Sequence, residues 1–135
     1  MNELVVRNIV RKILKEYMTS YDLRDVEQYA DNMFNNINID VEFTNHFIDR
    51  INDPRNSKEI ESQELKDLFK KLYFKYGQKL PNFRKGTHAV VSDMNSNINI
   101  PFELRWDDST KSFDMMNMTV MRKKNFFTKD MTLKV

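Results

Sequence analysis

Apolar residues recur along this chain with two different periods, and the change falls near Gly86. Over residues 2–18, Leu4, Val5, Ile9, Ile13, Leu14 and Tyr17 return every three to five positions, with Arg7, Arg11, Lys12 and Lys15 elsewhere on the surface. That spacing predicts a helix. A second helix is predicted over about 22–35, where Asp22 can cap and Leu23, Val26, Ala30, Met33 and Phe34 form the stripe. These two segments can pair as a hairpin, or grip a protein partner or a second copy of the chain. Alternation of Ile37, Ile39 and Val41 permits a short extended piece. Thr44 or Asn45 can then cap a helix over 44–52 with Phe47, Ile48 and Ile51 facing inward. It stops near Asp53-Pro54, because proline disfavours helical geometry in the residue before it. Residues 62–76 predict the clearest helix, with Ser62 as cap, Leu65, Leu68, Phe69, Leu72, Tyr73 and Tyr76 as stripe, and Gly77 as stop.

Beyond Gly86 the period falls to two, and three strands are predicted at 87–94, 97–106 and 112–121. In the second, Ile98, Ile100, Phe102, Leu104 and Trp106 alternate with Asn99, Glu103 and Arg105, while Pro101 argues for an edge position or a bulge. "DDSTK" makes a turn between strands two and three, and "TKDMTLKV" supplies a last short strand or a tail. Helices followed by strands predict an α+β domain, with N-terminal helices and a C-terminal antiparallel β-sheet. One domain spans 1–135, its residues 1–36 forming a helical extension to a core at 43–135.

Composition narrows the chemistry. The chain has 135 residues, no cysteine, two glycines and two histidines. Disulfides, thiol catalysis and thiolate metal sites are therefore absent, and two glycines cannot build a phosphate-cradling loop. No cofactor and no metal are expected. No apolar run reaches a membrane span and the start is too charged for a signal peptide, so an intracellular soluble protein, cytoplasmic or packaged in a virion, is expected. Net charge is +2, unevenly spread: residues 77–135 carry ten Lys/Arg against six acids, leaving twelve of the 22 bases and fourteen of the 20 acids elsewhere. A basic C-terminal half suits a phosphate-bearing partner such as RNA.

The candidate site begins in "EFTNHFIDRINDPRN", where His46 and Arg50 form an i, i+4 pair and Arg55 follows in the turn. RNA cleavage without a metal needs a base for the 2′-hydroxyl, cations on the phosphate oxygens and an acid for the leaving oxygen. An imidazole can perform either proton transfer near neutral pH, and a guanidinium fork suits phosphate better than a point charge. His46, Arg50 and Glu103 are the catalytic candidates, Glu103 as an alternative base. Arg55, Arg105, Arg122 and Lys124 are the phosphate candidates, since strand alternation would send Arg122 and Lys124 to one side. The plain alternatives are ion pairs of Arg50 with Asp53 or Glu42, a sheet histidine at His88, and a solvated basic edge at 122–124.

"HFIDRINDPRN" followed by "SQELKDLFKKLYFKYG" and a late antiparallel meander resembles the small RNA-cleaving toxin fold of the barnase–EndoU–colicin–RelE group. The His-x-x-x-Arg pattern is similar to that of the RegB-like phage endoribonucleases, and residues 43–135 also resemble a domain of tailed phages. The resemblance implies a phage RNA-binding protein or metal-independent endoribonuclease with His46 and Arg50 in its helical motif. Arg105, Arg122 and Lys124 would supply the sheet's contribution, chosen by chemistry. The competing expectation is a non-enzymatic virion-associated protein that binds a partner through residues 2–18 and 22–35.

Overall fold

The strands form where alternation is strictest, and the computed structural model, which describes residues 21–56 and 58–135, shows how they are ordered. The helix expected over 2–18 lies outside the described residues. The elements are α1 (21–34), β1 (Ile39–Phe43), α2 (Asn45–Ile51), α3 (Ser62–Tyr76), β2 (Thr87–Ser92), β3 (Ile98–Asp107), β4 (Ser112–Asn117), β5 (Met121–Arg122) and β6 (Met131–Lys134). Sheet order is β1-β4-β3-β2-β6, with β5 also paired to β3. No helix among the described residues is long and apolar enough to cross a membrane.

The architecture is α+β, but the expected all-antiparallel sheet needs correction. The central β2-β3-β4 meander is antiparallel, whereas β1 lies parallel to β4 and β6 parallel to β2. Alternation decides which face a strand buries, not which neighbour it takes. The segment at Ile37–Val41, expected only as extended, thus becomes an edge strand of the sheet at 39–43.

The third expected strand divides in two. β4 pairs with Phe102–Asp107 and β5 with Ile98–Asn99, and between them the chain bulges away from β3. Pro101 lies opposite this interruption, where its carbonyl accepts from Met118 N at 2.9 Å. Proline has no N–H to offer a ladder, so the break falls where one donor is already missing. Of the two readings of Pro101, the bulge applies, because β3 is central.

One face of the sheet carries Ile39, Val41, Phe113, Met115, Phe102, Leu104, Ile100, Ala89, Val91 and Leu133, all buried. The helices cover it through edge-on and tilted rings: Phe43 meets Phe47 at 4.7 Å and Phe69 at 5.8 Å, and Phe34 meets Phe69 and Tyr73. Leu23, Val26, Ala30 and Phe34 of α1 belong to this same core, so that stripe is already covered. The opposite face presents Asp40, Glu42, Asp114, Glu103, Arg105 and His88, which the registers place side by side.

Helix ends position the site. Thr44 Oγ1 accepts from Phe47 N at 3.1 Å, capping α2, and donates to Met118 O at 2.8 Å. One hydroxyl therefore starts the helix and ties it to the bulge. At α3 the cap is Glu61 rather than Ser62, which is the first helical residue. Glu61 accepts from the N3 amide while Glu64 takes the Glu61 N–H, a reciprocal box that a serine one position later cannot make. Gly77 ends α3 at a point where a Cβ would press into the Tyr73 carbonyl, and Gly86, at φ +81°, turns the chain into β2.

The short strand β5 is held by a guanidinium. Arg122 donates to both Glu64 oxygens (2.7 and 3.0 Å), to Ser96 O at 2.8 Å, to Glu59 O at 3.0 Å and to Lys58 O at 3.3 Å. All five of its N–H donors are thereby used, and its side chain is only 10% exposed. Removing one partner of such a pair strands the other's charge, which costs about 3 kcal/mol. Arg122→Met and Glu64→Gln should each lower stability by that order, read as a lower urea midpoint at unchanged slope, and Arg122→Lys should recover little, lacking the fork.

Candidate functional site

The irregular pieces of the fold meet at one place. The last turns of α2, the 3-10 turn at Pro54–Asn56, the bulge after β4 and β5 wall a groove of about 570 Å³. His46, Arg50, Arg55 and Lys123 line it, and Asp53 is the one acid among its described lining residues. Asn56 sets the geometry: it is 5% exposed, donates to the Arg50 carbonyl at 2.9 Å, and accepts from Arg122 N at 3.1 Å. It joins the end of α2 to β5 directly.

Within the groove Arg50 Nε donates to His46 Nε2 at 3.3 Å, and Arg50 Nη1 donates to Asp53 at 2.8 Å. Arg55 reaches the same carboxylate through Nη2 at 2.8 Å and Nε at 3.2 Å. Asp53 thus orients two guanidinium groups at once, and Arg55 stays three-quarters exposed. Once Arg122 is set against Glu64 and one cation against Asp53, the groove keeps a surplus of two positive charges. A carboxylate acting as anchor for two arginines presents them to an anion in fixed positions.

The other candidates lie elsewhere. Arg122 contributes backbone to the groove wall, but its guanidinium runs to Glu64. Glu103 sits on the far face of the sheet, paired with Arg105 and, at 2.9 Å, with His88. The Arg105 contact holds its carboxyl below the ordinary range, which makes it a weak proton acceptor. Lys124 lines a neighbouring groove instead. Three residues were not singled out from the sequence as site residues: Asp53, Asn56 and Lys123. The polar turn "NDPRN" was the signal for the first two, since such turns make side-chain to backbone bonds.

A second cluster has the opposite sign. The parallel pairing of β1 with β4 sets Asp40 beside Asp114, and alternation adds Glu42. Their carboxylate oxygens lie within 4.8 Å of one another, a hard donor set of the kind divalent cations take. Sharing a hydrogen bond with Asp40, burial and mutual repulsion push Glu42 up to about 7. Burial chiefly raises Asp31 to about 6, although its carboxylate accepts from Val41 N at 2.7 Å on the outer edge of β1. No separate sequence signal marked this cluster, because nothing in the pattern pairs β1 with β4.

Both groups bind protons more tightly folded than unfolded. Their effect on stability is absent below the ordinary carboxylate range and becomes a loss as pH rises through 6 to 7. The melting midpoint should therefore fall by a few degrees between pH 5.5 and 8, and Glu42→Gln should flatten most of that slope. Scanning calorimetry of both proteins across this range checks it; an unchanged slope in Glu42→Gln would show that the carboxyls do not interact.

No protein-family model matches the chain, and no curated protein and no solved structure matches it either.

Proposed function

We propose that this protein binds RNA, holding the phosphate backbone in the groove between α2, Pro54–Asn56 and β5. The observation that carries this reading is convergence: His46 and Arg50 from a helix, Arg55 from a turn and Lys123 from the end of a strand line one cleft. Three cations, Arg50, Arg55 and Lys123, and an imidazole from separate elements gather around one acid, an arrangement that complements an anion. Guanidinium forks match two phosphate oxygens at once, and Asp53 spares the ligand the cost of ordering them. This is the binding half of what the resemblance to RegB-like and RelE-like ribonucleases implies.

Cleavage needs a second proton-transfer group beside His46, and Glu103 faces the other side of the sheet. The geometry therefore supports binding over catalysis. The partner-binding alternative loses part of its basis too, since the stripe of α1 lies in the core.

Fluorescence anisotropy with a labelled oligouridylate tests the proposal. Binding should weaken steeply with salt, and Arg55→Glu and Lys123→Glu should each reduce affinity about tenfold at low salt, and lower the salt slope by about 1 or more. An oligonucleotide that fails to bind at ~50 mM salt removes the reading. Incubation with total RNA in EDTA decides the catalytic question: cleavage that disappears in His46→Ala would restore the enzyme.

A further inference from the structure

We propose that the RNA is bound as a single strand and that Phe127, with Lys124 and Lys134, forms a base-stacking platform beside the phosphate groove; this rests on the RNA-binding reading above. A second groove of about 440 Å³ lies over the other face of the sheet, lined by Asn99, Lys123, Lys124, Phe126, Phe127 and Lys134 among others. Lys123 lines both grooves, so the two share a ridge at the end of β5. A strand crossing that ridge passes from guanidinium groups to aromatic rings.

Phe127 is 83% exposed, the most exposed large apolar side chain among the described residues. The chain that carries it is anchored. Asn99, 3% exposed, donates to the carbonyls of Lys123 at 3.0 Å and Met121 at 3.3 Å, and Ser92 donates to its side-chain oxygen at 2.7 Å. Lys123 N is held by Asn97 O at 2.9 Å, and Asn125, at φ +57°, turns the backbone just before the two phenylalanines. The ring is held out to water on a short segment anchored at Lys123 before it and at β6 (131–134) after it.

Its surroundings select the occupant. Lys123, Lys124 and Lys134 line the groove with the rings, and its one acid among the described lining residues, Asp93, is already paired with Lys71 at 2.8 Å. Cations beside an open aromatic face complement a polymer that alternates phosphates with flat bases. Duplex RNA keeps its bases stacked on one another and offers the ring no face. A purely polyanionic ligand would use the lysines and gain nothing from Phe127.

The test compares the protein with Phe127→Ala, whose fold is checked by its melting curve. Ligands are a labelled oligouridylate, a duplex RNA of equal length, and inorganic polyphosphate as a charge-only probe. The expected result is preference for the single strand, a loss of about 5- to 100-fold in Phe127→Ala, and unchanged polyphosphate affinity. Phe127→Trp should retain binding, and its added indole emission should quench as bases stack. Equal affinity of the parent and Phe127→Ala for the single strand, or equal binding of duplex and single strand, overturns the platform and leaves the phosphate groove standing. A parent dimer that Phe127→Ala dissociates also overturns it, assigning the ring to self-association. No binding to any RNA overturns both readings.

Discussion

The two-residue strand β5 has too few ladder bonds to place itself, and the guanidinium of Arg122 does that work. It joins β5 to the first turn of α3 through Glu64, to the approach to α3 through the carbonyls of Lys58 and Glu59, and to the β2–β3 turn through Ser96 O. Burying a charge is costly, and the cost is offset only when every donor finds an acceptor. Here each does. Glu64 fits the task because it already belongs to the α3 capping box, where a negative charge meets the positive end of a helix. The Arg122 contact then holds its carboxyl below the usual range.

That anchoring permits an irregular backbone in the middle of a sheet. Where β4 leaves β3, the groups of the bulge lose their ladder partners and must be satisfied some other way. Side chains supply the replacements: the Thr44 hydroxyl reaches Met118 O, Asn99 reaches the carbonyls of Met121 and Lys123, and Asn56 accepts from Arg122 N. Asn117 does the same for Glu42 O at 2.9 Å. Each of these residues is buried or half-buried and polar, so an apolar replacement would leave backbone unpaired rather than merely change packing. The groove exists because the sheet is interrupted there, and the interruption is stable because four short polar side chains bridge it.

Periodicity made the helices at 45–51 and 62–76 and the central meander legible, since burial of one face is a local property of each segment. The parallel edges were not legible, because they join residues 39–43 to 113–117 and 89–92 to 131–134 without any local turn to announce it. The His46–Arg50 pair was readable from its helical spacing, as was the Asp53 ion pair that competes for Arg50. Strand alternation predicts Arg122 and Lys124 on one side. The strand ends at Arg122 and the chain turns, so one reaches Glu64 while the other lines the second groove. Alternation sets Glu103 on the polar face of its strand, and that face looks away from α2.

Charge is laid out along the sheet. Asp40, Glu42 and Asp114 lie on β1 and β4, with Asp31 beside β1, whereas Arg55, Lys123, Lys124 and Lys134 line the grooves around β5 and the last residue of β6. Because Glu42 releases its proton only at about 7, the acidic end gains negative charge as pH rises toward that value. A polyanion approaching this surface meets repulsion at one end and attraction at the other. Such a field cannot read a sequence; it bears only on the direction from which an extended polyanion would approach. The two grooves that Lys123 joins lie at the basic end of this field.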